Sequence, residues 1–149
     1  MISSKSGLTI RPLRERELNA MVKLWSLSDL PFRPKGRDNM KALRAQRRAS
    51  PDLFLGAFMG SKLVGVVLGT DDCRKGWLNR LAVLPEARGK GVASALIKEC
   101  EKALRRRGRR LFCVLIESYN TGSMDLFTKA GYKREEEILY FTKRERKDY

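Results

Sequence analysis

A chain of 149 residues, 42% of them hydrophobic, is long enough to bury one continuous core and too short for two, so one domain spanning 1–149 with one site is expected. Histidine is absent, which excludes histidine triads, metal–histidine centres and imidazole proton shuttles. With 32 Lys and Arg against 17 Asp and Glu, the net charge of +15 predicts a positive surface that draws polyanions, a phosphorylated cofactor and a nucleic acid alike.

In chain order, Leu8–Arg11 reads as a short strand ended by Pro12, and Leu18, Met21, Val22 and Trp25 follow at helical spacing. Pro31, Pro34 and Gly36 mark a loop from Ser28, after which Asp38 can cap a second helix through Ala49 whose apolar face, Met40 with Leu43, is thin. Leu53–Met59 and Lys62–Thr70 form a hairpin about Gly60-Ser61, and the polar turn Asp71–Gly76 leads to a third strand, Trp77–Val83.

From Val92 the apolar residues Val92, Ala93, Leu96, Ile97, Cys100, Ala103 and Leu104 keep the helical period until Gly108. Leu111–Ile116 reads as a buried strand, Asn120–Ala130 as a helix with Leu126, Phe127 and Ala130 inward, and Tyr132–Thr142 as a last strand beyond Gly131. The order is βααβββαβαβ. Its Trp77–Ile116 unit must bring two strands together in parallel, with a right-handed crossover, so an α/β fold with a mixed sheet is expected.

No apolar run approaches the roughly 20 residues that span a bilayer, and Met1–Lys5 lacks the apolar core of a signal peptide, so no membrane partner and a cytoplasmic location are expected. Cys73, Cys100 and Cys113 are odd in number and widely spaced, without a CxxC pair, which predicts reduced thiols, core positions for Cys100 and Cys113, and no zinc.

The candidate site is the stretch from Leu81, Ala82 and Val83 through Arg88, Gly89, Lys90, Gly91, Val92, Ala93 and Ser94, a strand, a glycine turn and a helix start. Helix-start amides lack internal acceptors and carry the positive end of the dipole, so the place suits phosphate oxygens. Gly89 and Gly91 admit an anion without side chains in the way, and Arg88 and Lys90 add full charges beside it. The alternative is a plain tight turn with solvated cations. A Walker A loop would need Gly-Lys-Ser or Gly-Lys-Thr, and a Rossmann fingerprint would need glycine where Ser94 stands.

At these residues the chain resembles the GCN5-related N-acetyltransferase (GNAT) family, whose coenzyme motif is filled by Arg88, Gly91 and Ala93 after the strand Leu81–Val83. The family's second motif is similar to Asn120 followed by Leu126-Phe127-Thr128-Lys129-Ala130-Gly131-Tyr132. The resemblance covers Leu8 to Phe141 and implies a mostly antiparallel central sheet flanked by helices. It also implies acetyl-CoA as cosubstrate, without a metal, and an amine on a small molecule or peptide as acceptor. In that reading the amides of Gly89–Ser94 hold the coenzyme pyrophosphate. The backbone of Leu81–Val83 lies along the pantetheine arm, and the Val83 N–H polarises the thioester carbonyl. Asn120 bonds the pantetheine and Phe127 lies near the sulfur; their structural alternatives are a helix cap and a core aromatic.

Two departures leave the catalytic residues unassigned. Phe127 stands where many members of the family carry a proton-donating Tyr, and Trp77-Leu78-Asn79-Arg80 holds no carboxylate where many carry a Glu. Glu117, at the end of the next strand, could act through water, and Tyr119 or Tyr140 could line the same cleft; a strand-end Glu is more often solvated, and none of the three is assigned a catalytic role. The basic run Arg105–Arg110 reads first as a solvated helix end favoured by the dipole. Two other classes stay open: a non-catalytic acyl-CoA sensor, and a nucleic-acid-associated basic protein, which lacks an RNA-binding fingerprint. A homodimer is common in families of this type, and the acceptor is expected to be set by Ser28–Ser50.

Overall fold

The computed structural model describes residues 7–149 in full and residues 2–3 as backbone. Residues 1 and 4–6, part of the stretch read above for its lack of a signal-peptide core, lie outside the described residues. The strands are β1 (Ile2–Ser3), β2 (Leu8–Pro12), β3 (Phe54–Met59), β4 (Lys62–Asp71), β5 (Gly76–Val83) and β6 (Phe112–Cys113). The helices are α1 (Leu18–Leu27), α2 (Met40–Ala49), α3 (Val92–Arg106) and α4 (Thr121–Lys129). The sheet runs β1-β2-β3-β4-β5-β6, antiparallel throughout except for the parallel pair β5–β6 on either side of α3. This is the mixed, mostly antiparallel sheet flanked by helices that the sequence predicts.

The hairpin turns at Gly60-Ser61 as expected, with Met59 opposite Lys62 and Gly60 in the left-handed region at φ 62°. Helix α1 buries Leu18, Met21, Leu24 and Trp25, while α2 buries Leu43 alone and is tied down by Arg47 Nε, which donates to the Leu13 carbonyl at 2.8 Å. Asn39, rather than Asp38, caps α2: its Oδ1 accepts the Ala42 N–H at 2.9 Å.

Helix α3 carries the largest buried stripe, Val92, Leu96, Ile97, Cys100, Ala103 and Leu104, with each fully buried Leu or Ile contributing about 1.5–3 kcal/mol by its removal from water. Two positions of β4 beneath it carry no side chain. A Cβ on Gly65 would lie 2.9 Å from Val92 Cγ1, and one on Gly69 would lie 2.9 Å from Cys100 Sγ. The two glycines let the helix axis approach the sheet more closely than any side chain would allow.

Three features differ from expectation. A strand β1 precedes the one predicted first, β6 is shorter than Leu111–Ile116, and Tyr132–Thr142 forms no strand. The five successive charges Lys133–Glu137 have no apolar face to bury, and the two-residue β6 offers almost no ladder for another strand to join. Ile138, Leu139, Tyr140 and Phe141 are consequently 73–84% exposed. Cys100 is buried as predicted, and Cys113 is only half-buried on β6. Among the described residues no helix is long and apolar enough to cross a membrane.

Candidate functional site

Strand β5 is paired on one side along its length and on the other only at its start, where Gly76 faces Phe112 and Trp77 faces Cys113. From Leu78 to Val83 that second edge is open. The Leu84 N–H bonds the Val64 carbonyl at 2.9 Å, which makes the neighbouring Gly65–Val83 pair a non-hydrogen-bonded one. The N–H and C=O of Val83 therefore point away from β4, out of the open edge.

A β-bulge interrupts the same strand: Val66 faces Ala82 and Leu68 faces Asn79, so Val67 alone opposes Arg80 and Leu81. Arg80 takes φ 50°, a left-handed conformation that costs a non-glycine residue about 1–2 kcal/mol. Its side chain offsets that strain. Arg80 Nη2 bonds Asp38 Oδ2 at 2.7 Å, Nη1 bonds the Pro31 carbonyl at 2.6 Å, and the guanidinium lies 5.8 Å from the Trp25 ring centre. Asp38 is buried and also accepts the Arg33 N–H at 2.6 Å. Ser28 Oγ donates to the Val83 carbonyl at 3.4 Å. The loop from Ser28 to Asp38 is thus fastened along the C-terminal half of β5 and forms a wall of the opening.

Beyond Val83 the chain makes a short 3-10 turn, Pro85–Ala87, and then passes through Arg88, Gly89, Lys90 and Gly91 into α3. Gly89 has φ 74° and Gly91, the N-cap, φ 78°, and a Cβ at either would meet nothing within 4 Å. Backbone conformation, not crowding, is what demands glycine at both. Among the described residues no side chain caps α3, so the amides of its first turn, Val92, Ala93 and Ser94, are left for an outside acceptor at the positive end of a 15-residue helix. Gly89, Lys90, Gly91 and Ser94 are exposed, Ala93 is half-buried, and Val92 is buried as the first anchor of the helix. Arg88 Nε donates to the Val83 carbonyl at 3.2 Å, which links the open strand edge to the glycine turn.

The strand–turn–helix segment therefore brings Leu81, Ala82, Val83 and Arg88–Ser94 into one continuous element. Asn120 and Phe127 belong to α4, which follows β6, the strand across the opening. Both meet their structural alternatives. Asn120 Oδ1 accepts the Ser123 N–H at 3.1 Å as an N-cap, which leaves only its Nδ2 to donate, and Phe127 is buried with its ring 5.0 Å from that of Tyr132, edge to face. Tyr132 Oη donates to Glu101 Oε2 at 2.7 Å; burial, and then this bond, raises its pKa far above the ordinary phenol value. Glu117, Tyr119 and Tyr140 are exposed.

The sequence reading missed Arg80, Asp38 and Ser28. No glycine marks the bulge, and an arginine in a strand looks like an outward polar residue, so only the fold reveals them. Much of the basic run also has a structural use. Arg107 pairs with Asp52 at 2.6 Å and lowers the pKa of that carboxyl, and Arg109 Nε lies 3.0 Å from Asp71 Oδ1 and bonds the Cys73 carbonyl through a second nitrogen.

The profile described as the Acetyltransferase (GNAT) family matches residues 18–132. An acetyltransferase of Sodalis glossinidius is 31% identical over 137 residues, 92% of this chain and 95% of that protein. One of Photorhabdus laumondii is 33% identical over 138 residues, with the same shares covered. Among solved structures, the PaiA N-acetyltransferase of Thermoplasma acidophilum in complex with coenzyme A has a TM-score of 0.77 at 22% identity, covering 88% of this chain and 92% of that one. The yncA protein of Salmonella typhimurium, solved with its cofactor acetyl-CoA, has a TM-score of 0.72 at 19% identity, covering 85% and 80%. Both share the fold.

Proposed function

The chain belongs to the acetyltransferase (GNAT) family, and from that premise we propose that it moves the acetyl group of acetyl-CoA to an amine by direct attack in a ternary complex. One observation carries this reading: the open edge of β5, with Val83 pointing outward, runs directly into an uncapped helix start flanked by Arg88 and Lys90. Amides, a guanidinium and an ammonium form a donor set that fits a pyrophosphate and offers nothing to a metal ion.

In this reading the amides of Gly89–Ser94 hold the pyrophosphate with Lys90 and the two Nη groups of Arg88. The edge of Leu81–Val83 takes the pantetheine arm as an added strand, with Asn120 Nδ2 bonding it from the far wall and Phe127 giving apolar cover near the sulfur. The thioester supplies the electrophilic carbon. The Val83 N–H stabilises charge on its oxygen. A neutral amine attacks that carbon and the C–S bond breaks, its electron pair leaving with sulfur. The nitrogen proton passes to water, and the thiolate takes its proton from water. Phe127 has no proton to give, and the Tyr132 hydroxyl is held by Glu101 with its pKa raised, so neither assists. Asp38, the carboxylate nearest the bulge, is engaged by Arg80 and the Arg33 N–H and is unsuited to act as the base.

Isothermal titration of acetyl-CoA and coenzyme A into wild type and Gly91→Glu tests the reading. The expected result is binding to wild type that is lost when a carboxylate stands at the helix start. Absence of binding to wild type would remove the reading altogether. Binding without thiol release across amines would favour an acyl-CoA sensor, the reading that buried Phe127 supports.

A further inference from the structure

The wall of the opening, from Ser28 to Asp38, carries its charge unevenly. Arg33, Lys35 and Arg37 are exposed, as is one acid, Asp29. The other acid, Asp38, is buried with its carboxylate taken by Arg80 and the Arg33 N–H, so it offers no negative charge to an incoming molecule. The C-terminal residues close against this wall. Gly36 is buried, and a Cβ added to it would strike the Asp148 carbonyl. Between the two lies a groove lined by Arg37, Lys143 and Arg144 with Tyr140, Phe141 and Tyr149, whose ring lies 4.5 Å from the Arg146 guanidinium; among the described residues Glu145 is the one acidic side chain lining it. Arg144 Nη1 donates to the Tyr149 main-chain oxygen at 2.6 Å, and among the described residues no hydrogen bond or ion pair engages the side chains of Arg37 and Lys143.

Resting on the transferase reading above, we propose that the acceptor is an anionic amine. Its amino group enters beside Val83, and a carboxylate or phosphate elsewhere on it is held by Arg37 and Lys143, with Tyr140 and Phe141 as its apolar floor. Arg37 is adjacent to Asp38, whose bond to Arg80 holds that end of the groove to β5. Arginine presents a planar fork to such oxyanions, and the net charge of +15 draws anions to the protein. A polyamine or other polycation meets repulsion from Arg37 and Lys143. The transfer step is unchanged: nitrogen bonds the acyl carbon, sulfur leaves, and the proton lost by nitrogen reaches sulfur through water.

The test compares thiol release from acetyl-CoA with three groups of acceptors: free aspartate and glutamate with aspartate-rich tripeptides, O-phosphoethanolamine, and the polycations spermidine and neamine. Calorimetry follows acetyl-CoA binding in parallel for wild type, Arg37→Glu, Arg37→Lys and Lys143→Glu. The first two groups separate carboxylate from phosphate recognition. The anionic acceptors should show the higher kcat/KM, falling with added salt, and either charge reversal should raise their KM about tenfold or more while acetyl-CoA affinity holds and Arg37→Lys retains most of the function. Preference for spermidine or neamine, or a KM indifferent to both reversals, overturns the proposal and leaves the transferase reading standing. Tight acetyl-CoA binding with no release from any acceptor overturns the transferase reading, and the anionic acceptor with it.

Discussion

Arg80 Nη2 lies 2.7 Å from Asp38 Oδ2, and through that contact a strained strand residue holds the loop that borders the candidate acceptor side. Arg80→Ala would leave Asp38 buried without its partner and should destabilise the protein by about 3 kcal/mol, measured by urea unfolding. Asp38→Asn in the same background should recover part of the loss. Arg80→Gly should be less harmful than Arg80→Ala by about 1 kcal/mol, because glycine carries no penalty at φ 50°.

Gly91→Ala places a Cβ in open space but at φ 78°, so the loss comes from backbone strain alone. A stability decrease of about 1–2 kcal/mol is expected, and Gly91→Asn should lose less because asparagine tolerates this region. Thermal unfolding of the two variants side by side decides it: equal losses would contradict the conformational account.

Gly69→Val drives a branched side chain into Cys100 Sγ, 2.9 Å from the position of its Cβ, and should cost about 1–3 kcal/mol by overpacking. Adding Cys100→Ala should return part of that loss. A double-mutant cycle measures the coupling, and strict additivity would show that the two side chains do not meet.

Glu17 accepts both Nη groups of Arg11, at 2.9 and 2.8 Å, and the Arg14 N–H at 2.7 Å. The Arg11 guanidinium first, and the Arg14 backbone bond with it, lower the Glu17 pKa from 4.5 to about 2. The folded-state value is depressed, so the stabilisation is fully present above the unfolded value and is lost as pH falls from about 4.5 toward about 2. Glu17→Gln should flatten that acid limb of the urea midpoint and leave the neutral region nearly level.

Burial, and secondarily the negative charge of Glu101, pushes the Cys100 thiol up to about 12, while Cys73 is exposed. An aromatic disulfide reagent should modify Cys73 rapidly and reach Cys100 only on unfolding. Rapid release of three equivalents from the folded protein would contradict the packing of α3 on the sheet.

Periodicity and glycine placement made most of the fold legible. The hairpin at Gly60-Ser61, the stripe from Val92 to Leu104 and the order of elements around the glycine turn lie where local patterns put them. What escaped depends on contacts between distant residues. Asn39 displaces Asp38 as the cap because Asp38 is drawn to Arg80 on another element. The apolar run Ile138–Phe141 has strand composition but no strand to join, since pairing is decided by a neighbour and not by the segment itself. At the candidate site the donor-bearing turn was readable from Gly89 and Gly91. The bulge that fastens the opposing loop was not, because a left-handed arginine leaves no trace in composition.

The bare position at Gly65 reaches further than the core. The first side chain a Cβ there would meet belongs to Val92, the residue that opens α3. The elevation of the glycine turn above the strand beside it is therefore set by a methyl group missing from β4. A relative could keep Arg88–Ser94 letter for letter, gain one alanine at that place, and carry the same donors at the wrong height.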